Sequence, residues 1–531
     1  MIMTRRNEEM FSRSKSLLVI VCLALLTGLA GFALAQSSDY QTAISFVQRG
    51  EFDKAVAILE QILNRTPNDL KARNAMGIAL SGAGRKEEAK EQFKKVLALD
   101  PKFVPALKNI AVNELALGEV QDARVHFEEA LRLAPKDVTC HWGLAEIAFA
   151  AGEFERAAAH YEQSGDLALR DPRVTIRFAN SYVETKEAAK ATALVEKIPE
   201  TDANINFQAG LILARLEKFD AAARRFELAR DGYPDPYQAR FNLALVLVKS
   251  GNYAAAIWTG EEMLAAGYRK AELYNLLAQA YEKDGKTKQA YDSLRTATQI
   301  EPEDETNYLD LIILCIQHEN YELSLEVADI GIRKIPTSHR LHLQRGAILA
   351  MREQFEDAAK EFQTAGQLSP EAGLPQVALG FMLIQMSKLP EAIDLLRRQS
   401  RRNPKDPHAL WLLGEALNRS GIAPGSEPEK QAVSALEKSV QLDPLHAQPR
   451  ALLGKLLLRR GEVNRAIEQL EKAVEIDPRD MTATYQLALA LQRKGDAERA
   501  KQLFAKVSRA GNEERGITQR SLLRIFKIGS Q

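Results

Sequence analysis

Few residues in this chain have the types and spacing that catalysis or metal binding requires. His339 and His342 lie three residues apart, which places two imidazoles on one face of a helix, but no third metal ligand is evident beside them. The stretch "DGKT" (Asp284 to Thr287) resembles the end of a phosphate-binding loop, yet Ala280 stands where that loop needs its first glycine. The chain contains no HExxH, paired CxxC or GxSxG motif. The sequence therefore predicts no catalytic site, no metal and no cofactor.

Charged residues are numerous but balanced. Lys plus Arg and Asp plus Glu each total 71 residues, so the formal net charge is zero. Proteins that bind nucleic acid generally carry a marked excess of basic residues. The basic cluster of Arg397, Arg398, Arg401 and Arg402 is interpreted as a solvated helix face, with a site for an acidic partner as the alternative. We therefore predict no nucleic-acid partner.

The amino terminus has the features of an export signal. Four basic and two acidic residues precede an apolar run from Leu17 to Ala35, which ends in the small-x-small pattern of a signal-peptidase site. We expect residues 1–35 to be a signal peptide that is cleaved before Gln36, so that the protein is periplasmic or secreted. The alternative is an uncleaved segment that anchors the protein in the membrane, facing the periplasm, since the run's 19 residues are long enough to span a bilayer.

The rest of the chain repeats one phrase with a period of 34 residues. The prolines that close the phrase show this spacing in three series: Pro67, Pro101 and Pro135; Pro302, Pro336, Pro370 and Pro404; and Pro444 and Pro478. Fourteen repeats can be counted, beginning at residues 36, 70, 104, 138, 172, 203, 237, 271, 305, 339, 373, 407, 447 and 481. Apolar or small residues recur at spacings of three and four through both halves of a repeat, as two amphipathic helices require. The period therefore predicts fourteen helical hairpins.

Two places in the repeat require a small side chain. The eighth residue is Ala or Gly in thirteen of fourteen repeats, with Ile312 as the exception. The twentieth residue is Ala in thirteen of fourteen, with Ser324 as the exception. Gly costs a helix interior about 1 kcal/mol relative to Ala, so its repeated use predicts a close approach of the paired helices. Large residues such as Phe93 and Phe362 are expected to fill the space beyond the small sites.

In its period and its small sites the chain resembles the tetratricopeptide repeat family, from residue 36 to about residue 514. The resemblance implies an all-α fold, an α-solenoid in which about fourteen antiparallel helix pairs form a right-handed superhelix with a concave groove lined by the first helices. The tail, residues 515–531, is expected to form a C-terminal capping helix. We divide the repeats into residues 36–202, whose last repeat is irregular and three residues short, and residues 203–514, with an insertion near 422–428.

The same resemblance places the fifth residue of a repeat on the inner face of its first helix. That place is aromatic in six of fourteen repeats: Tyr40, Trp142, Phe207, Phe241, Trp411 and Tyr485. Basic residues follow toward the groove rim: Arg215, Lys249, Lys283, Arg419, Arg459 and Arg493. An aromatic floor with a basic rim would suit an extended, partly acidic segment of a partner, centred on Trp411 with Arg419 and Arg459. The alternative is that these residue types are simply common at these places in the repeat.

The family generally binds peptides, tails or protein faces in its groove, so the resemblance implies a non-enzymatic scaffold with a protein or peptide partner. An envelope, secretion or assembly complex is the expected setting, and membrane contact is expected only through an uncleaved amino terminus. Two alternatives remain open: a solenoid that binds or helps to export a polysaccharide, and a regulatory subunit of an enzyme whose catalytic module is a separate chain. A clamp for a terminal carboxylate is not predicted, because Asn74 with Ile78 and Lys108 with Val112 do not complete it.

Overall fold

Helices account for all of the regular structure in the part of the chain that the computed structural model describes, residues 38–509. They comprise 28 α-helices and one short 3-10 helix, Gly165–Leu169. Consecutive helices pair as hairpins, so the predicted all-α architecture of fourteen helix pairs is confirmed. The predicted signal peptide and the predicted capping helix lie outside the described residues.

The helix pairs divide equally between two compact halves, with the division in the sequence between Ala266 and Gly267. The amino-terminal half contains α1 (Ser38–Gln48), α2 (Phe52–Arg65), α3 (Leu70–Gly82), α4 (Lys86–Leu99), α5 (Val104–Leu117), α6 (Val120–Leu133), α7 (Val138–Ala150), α8 (Phe154–Gln163), α9 (Pro172–Glu184), α10 (Ala188–Glu196), α11 (Ala203–Arg215), α12 (Phe219–Ala229), α13 (Pro236–Lys249) and α14 (Tyr253–Ala265). The division by packing thus falls four helices after residue 202, where the irregular repeat ends.

The carboxy-terminal half repeats the same arrangement and contains the remaining seven pairs. They are α15 (Ala271–Lys283), α16 (Thr287–Ile300), α17 (Glu305–Gln317), α18 (Tyr321–Lys334), α19 (His339–Met351), α20 (Phe355–Leu368), α21 (Gly373–Gln385), α22 (Leu389–Arg402), α23 (Pro407–Arg419), α24 (Glu427–Leu442), α25 (Ala447–Arg459), α26 (Val463–Ile476), α27 (Met481–Lys494) and α28 (Ala497–Arg509). In both halves the odd-numbered helices are the first helices of the repeats, and the even-numbered helices are the second.

Local chemistry fixes where the first helices begin. Eight of them follow an Asp whose carboxylate accepts an N–H from the first turn: Asp69, Asp137, Asp171, Asp202, Asp235, Asp304, Asp406 and Asp480. A cap of this kind contributes about 1 kcal/mol. The turn inside each hairpin instead needs a left-handed residue, which is Gly in nine repeats and a non-Gly residue in the other five, including Glu319 at φ 56°. The repeat therefore keeps its turn geometry even where the preferred residue type is lost.

The small sites allow each hairpin to close. A Cβ built on Gly346 would lie 2.6 Å from the ring of Phe362, and one built on Gly77 would lie 2.4 Å from the ring of Phe93. Both rings are almost completely buried, as is Ala358 at the twentieth place. The ring of the second helix therefore occupies the volume that an eighth-place side chain would need, as the sequence predicts.

A buried arginine compensates for the three residues missing from the irregular repeat. The second helix of this repeat, α10, ends early, and the Arg225 guanidinium of α12 donates to the carbonyl oxygens of Val195 at 2.9 Å and Ile198 at 3.0 Å. It also donates to the Asn206 side chain at 2.9 Å, and only 7% of the arginine side chain is exposed. Arg225 thus supplies donors to carbonyls near the carboxyl end of a helix, where intrahelical donors run out.

Replacing Gly346 by Leu is expected to lower the free energy of unfolding by about 1–3 kcal/mol, because the new side chain must displace the Phe362 ring. Chemical denaturation of the purified chain measures the change. The matched control is Gln363→Leu, which adds the same side chain at an exposed position of the partner helix α20. Equal stability of the two variants would refute the close-packing account.

Candidate functional site

A cavity of about 250 Å³ opens on the inner face of the carboxy-terminal half. The inner face is defined here as the face of the first helices that carries the second, fifth and ninth residues of the repeats. Four consecutive first helices line the cavity: α21, α23, α25 and α27. Its apolar part is formed by Phe381, Trp411, Leu412, Ala451 and Leu452. The cavity therefore combines side chains from four successive repeats at one place.

The cavity exists because one repeat lacks a large side chain at its fifth place. Ala451 occupies that place on α25, whereas Trp411 precedes it on α23 and Tyr485 follows it on α27. Trp411 is 5% exposed, and its ring packs edge-to-face on His446, with ring centroids 4.7 Å apart. A small residue between two repeats with aromatic residues leaves a gap, and Trp411 and Phe381 form part of its wall.

Polar side chains surround the apolar part of the cavity. Four of them are amides, each half-exposed: Gln385, Asn418, Gln448 and Gln486. A side-chain amide both donates and accepts hydrogen bonds, so it can pair with the N–H and the C=O groups of a peptide backbone. The lining thus suits an extended chain that lies across the first helices and inserts an apolar group.

Four charged residues complete the lining, and three of them already have local roles. Arg419 Nε donates to Glu415 Oε1 at 2.5 Å along α23. Asp480 accepts from the Ala483 N–H at 2.8 Å and so caps α27. Lys455 is exposed and makes no ion pair with any residue of the described range 38–509. The cavity therefore contains one positive charge that forms no ion pair within the described residues, that of Lys455.

The predicted rim residue Arg459 does not line this cavity. Its guanidinium binds the Glu429 carboxylate, with Nη2 at 2.6 Å and Nε at 2.9 Å from Oε1. Glu429 is 1% exposed and also accepts from the Gly425 N–H at 2.7 Å, so it ties the insertion to α25. Burial by itself would raise the pKa of Glu429, but the Gly425 N–H and the Arg459 guanidinium outweigh burial and hold that pKa below its ordinary value.

The other aromatic residues predicted for the groove differ widely in exposure. Three are buried, namely Tyr40, Trp142 and Phe207, while Phe241 is half-buried and Tyr485 is 43% exposed. Phe207 is covered by the ring of Tyr233, stacked at 4.0 Å between centroids. Most fifth-place aromatic rings therefore contribute to the packing of the stack, and Trp411 is the one that also lines the cavity.

The remaining basic residues predicted for the rim differ in their surroundings: the two arginines make polar contacts within the stack, and the two lysines are exposed. Arg215 pairs with Glu184 at 2.8 Å, and Arg493 donates to the Leu458 carbonyl oxygen at 2.8 Å. Lys249 and Lys283 are exposed. Of the predicted site residues the structure thus brings Trp411 and Arg419 together in one cavity.

Sequence reasoning did not single out Phe381, Ala451, Lys455 or the four amides. The interruption of the fifth-place aromatic residues at Ala451 was the one signal that could have located the cavity.

One group of carboxylates in the described residues is close enough to hold a cation: Glu114, Glu119 and Asp122. Protein groups already balance part of this charge, since Lys90 pairs with Glu119 and His126 lies 2.8 Å from Glu114. No helix within residues 38–509 combines the length and the apolar character that a membrane span requires.

Comparison with known proteins identifies the repeat along most of the chain. Family models described as tetratricopeptide repeat match residues 46–111, 109–166, 148–216, 207–267, 271–304 and 383–447, and one described as TPR repeat matches residues 454–495. The BBSome complex member BBS4 homolog of Drosophila melanogaster is 25% identical over 206 residues, which are 39% of this chain and 41% of that protein. The peroxisomal targeting signal receptor of Saccharomyces cerevisiae is 36% identical over 70 residues, 13% of this chain and 11% of the receptor. The chain therefore spans less than half the length of either relative.

Similar solved structures include the APC/C hetero-tetramer Cut9-Hcn1, at 13% identity over 89% of this chain and 99% of that one, with a TM-score of 0.36. Yeast Tom70 is 18% identical over 92% of this chain and 95% of that one, with a TM-score of 0.34.

We expect Glu429→Gln to lower the free energy of unfolding by about 1–3 kcal/mol at neutral pH, because it weakens the contacts that hold a buried side chain. The folded-state pKa of Glu429 is lowered. Its contribution is therefore complete above the unfolded-state pKa, about 4.3, and is lost as the pH falls through the folded-state pKa. Thermal unfolding between pH 7 and pH 3 should show the midpoints of wild type and variant converging below about pH 4.3.

The control for this experiment is Glu427→Gln. Glu427 lies in the same helical turn, and its side chain is 85% exposed. Its unfolding midpoint should follow that of the wild type throughout. A Glu429→Gln deficit that persists unchanged at pH 3 would contradict the assignment of the lowered pKa to this contact.

Proposed function

The chain belongs to the tetratricopeptide repeat family, and from that premise we propose that it is a non-enzymatic scaffold whose inner face binds an extended segment of a partner protein. The binding surface is the part of the carboxy-terminal half formed by α21, α23, α25 and α27. The single observation that carries the proposal is the cavity there, with an apolar floor and four amides around it.

The chemistry of the cavity favours a polypeptide over a polysaccharide. Sugars bind to aromatic side chains mainly by stacking on an exposed ring face, whereas Trp411 is only 5% exposed and its ring packs on His446. Amides next to an apolar gap instead match a backbone with one inserted side chain. A 70-residue stretch shared with a peroxisomal targeting signal receptor is consistent with peptide binding, as that protein's name describes a receptor for a targeting signal.

The setting that we propose is an envelope, secretion or assembly complex. Its support is the leader-like composition of residues 1–35, in which a basic start, an apolar run and Ala33-Leu34-Ala35 follow one another. An exported scaffold would meet its partners outside the cytoplasm. Regulation of a separate catalytic chain would use the same surface, so the identity of the captured partner distinguishes these roles.

Site-specific photocrosslinking in intact cells tests the binding face. A benzophenone amino acid at Gln448, on the inner face, should attach one and the same partner protein as the probe at Gln486. The matched control is the probe at Lys438, which is exposed on the second helix α24. Mass spectrometry identifies the attached molecule. Attachment of the partner only from Lys438, or of polysaccharide from Gln448, would overturn the proposal.

Localisation can be measured independently of binding. We expect mature protein that begins at Gln36 in the soluble non-cytoplasmic fraction, as judged by amino-terminal sequencing. Ala35→Leu, which removes the small residue required for cleavage, should leave the full-length chain in the membrane fraction. Uncleaved wild-type protein in the membrane would support the anchor, and uncleaved protein in the cytosol would contradict export altogether.

A further inference from the structure

We propose that the gap above Ala451 is an anchor pocket for one large apolar side chain of the bound segment, and that Lys455 selects an acidic side chain next to it. The anchor pocket is defined by Phe381, Trp411, Ala451 and Lys455. The inference rests on the proposed function and names the residue types that the partner must supply.

The size of the pocket argues for a side chain rather than a separate ligand. Sites that enclose a drug-sized molecule have volumes of about 300–1,000 Å³. This cavity, at about 250 Å³, lies below that range and is open to the inner face. One aromatic or branched side chain can enter it while the backbone of the segment stays outside.

The position of the pocket in the repeat explains why the occupant should be large and apolar. Trp411 and Tyr485 occupy the fifth place in the repeats on either side, and Ala451 leaves the same place unfilled between them. The neighbouring Leu412 and Leu452 are buried in the core of this half. A partner's side chain would therefore occupy the fifth place of this repeat, which an aromatic ring occupies in the adjoining repeats. It would bury apolar surface against the neighbouring side chains.

The amides hold the segment in place. Gln448 lies one turn before Ala451 on α25, while Asn418 and Gln486 approach from the neighbouring first helices. Each can satisfy a backbone N–H or C=O that loses contact with water when the anchor side chain enters. The anchor is thereby oriented by contacts that do not depend on its neighbours in sequence.

The charges around the pocket set the second preference. Glu415 is paired with Arg419, and Asp480 caps α27 through the Ala483 N–H. Lys455, one turn after Ala451 on the same helix, has no ion-pair partner among residues 38–509. A carboxylate of the bound segment, next to the anchor side chain, would form an ion pair with the Lys455 ammonium without breaking an existing ion pair. A cationic side chain at the same place would be repelled.

Selection of peptides on the full chain tests the inference. The probe is a phage-displayed library of random twelve-residue peptides, and the selected sequences are synthesised with acetylated and amidated ends for titration by fluorescence anisotropy. We expect the selected peptides to share one large apolar residue with an Asp or Glu within two positions. Ala451→Phe, which fills the pocket, should weaken their binding at least about tenfold, which is about 1.4 kcal/mol, whereas Ala505→Phe, on the exposed face of α28 and outside the pocket, should leave it unchanged.

Lys455 is tested by charge reversal, which leaves the packing of the stack untouched. Lys455→Glu should weaken the same peptides about tenfold and should bind better those in which the acidic residue is replaced by Lys, while Lys438→Glu has no effect on either. This arm remains decisive if Ala451→Phe fails to fold, as judged by its circular dichroism. Peptides with free carboxyl ends should bind as the amidated ones do; a strong preference for the free end would show that a terminal carboxylate is the ligand instead.

Failure of this inference can be told apart from failure of the proposed function. Peptides that crosslink to a probe at Gln448 but bind Ala451→Phe and Lys455→Glu as tightly as wild type would overturn the anchor pocket alone. Selected peptides that crosslink at Lys438 and never at Gln448 would overturn both.

Discussion

The close approach of the two helices in each hairpin is the constraint on which the rest of the structure depends. A glycine or alanine at the eighth place faces a large side chain of the second helix, as Gly346 faces Phe362, and there is no room for both to be large. The hairpin that results has apolar side chains on faces that it cannot cover alone, so each repeat packs on the next. Residues at the same place in successive repeats therefore line up along the stack, and the first helices present the fifth residue of every repeat on the same face.

The binding site that we propose arises from a departure from the repeat. The fifth-place residues Trp411 and Tyr485 flank Ala451, and the missing volume at Ala451 becomes a cavity between four first helices. The insertion before α24 is a second departure, and it brings the Glu429 carboxylate into a buried contact with Arg459. The first departure leaves the cavity that we propose as the binding site, whereas the second links the segment after the insertion to α25.

The sequence was sufficient to predict the period, the fourteen hairpins and the all-α class, because these follow from contacts within one repeat. It was not sufficient for the site. Whether Trp411 is exposed depends on His446 at the far end of the same repeat, and whether Arg459 is available depends on Glu429, which follows the insertion. Lys455 can be recognised as a cation without an ion pair in the described residues only when the ion pairs of its neighbours are known. Contacts between residues far apart in the sequence decide how exposed each side chain is and which charges are paired, and the place of a residue in the repeat does not reveal these contacts.

Methyl NMR of the full chain can show whether a partner's side chain fills the gap at Ala451. Alanine methyl groups are labelled with carbon-13, and the partner segment identified by crosslinking at Gln448 is titrated in. We expect a large shift of the Ala451 methyl resonance and contacts from it to an apolar side chain of the segment, while the resonance of Ala505, on the exposed face of α28, stays in place. If the Ala451 methyl resonance does not move in a saturating titration, no side chain of the partner fills this gap.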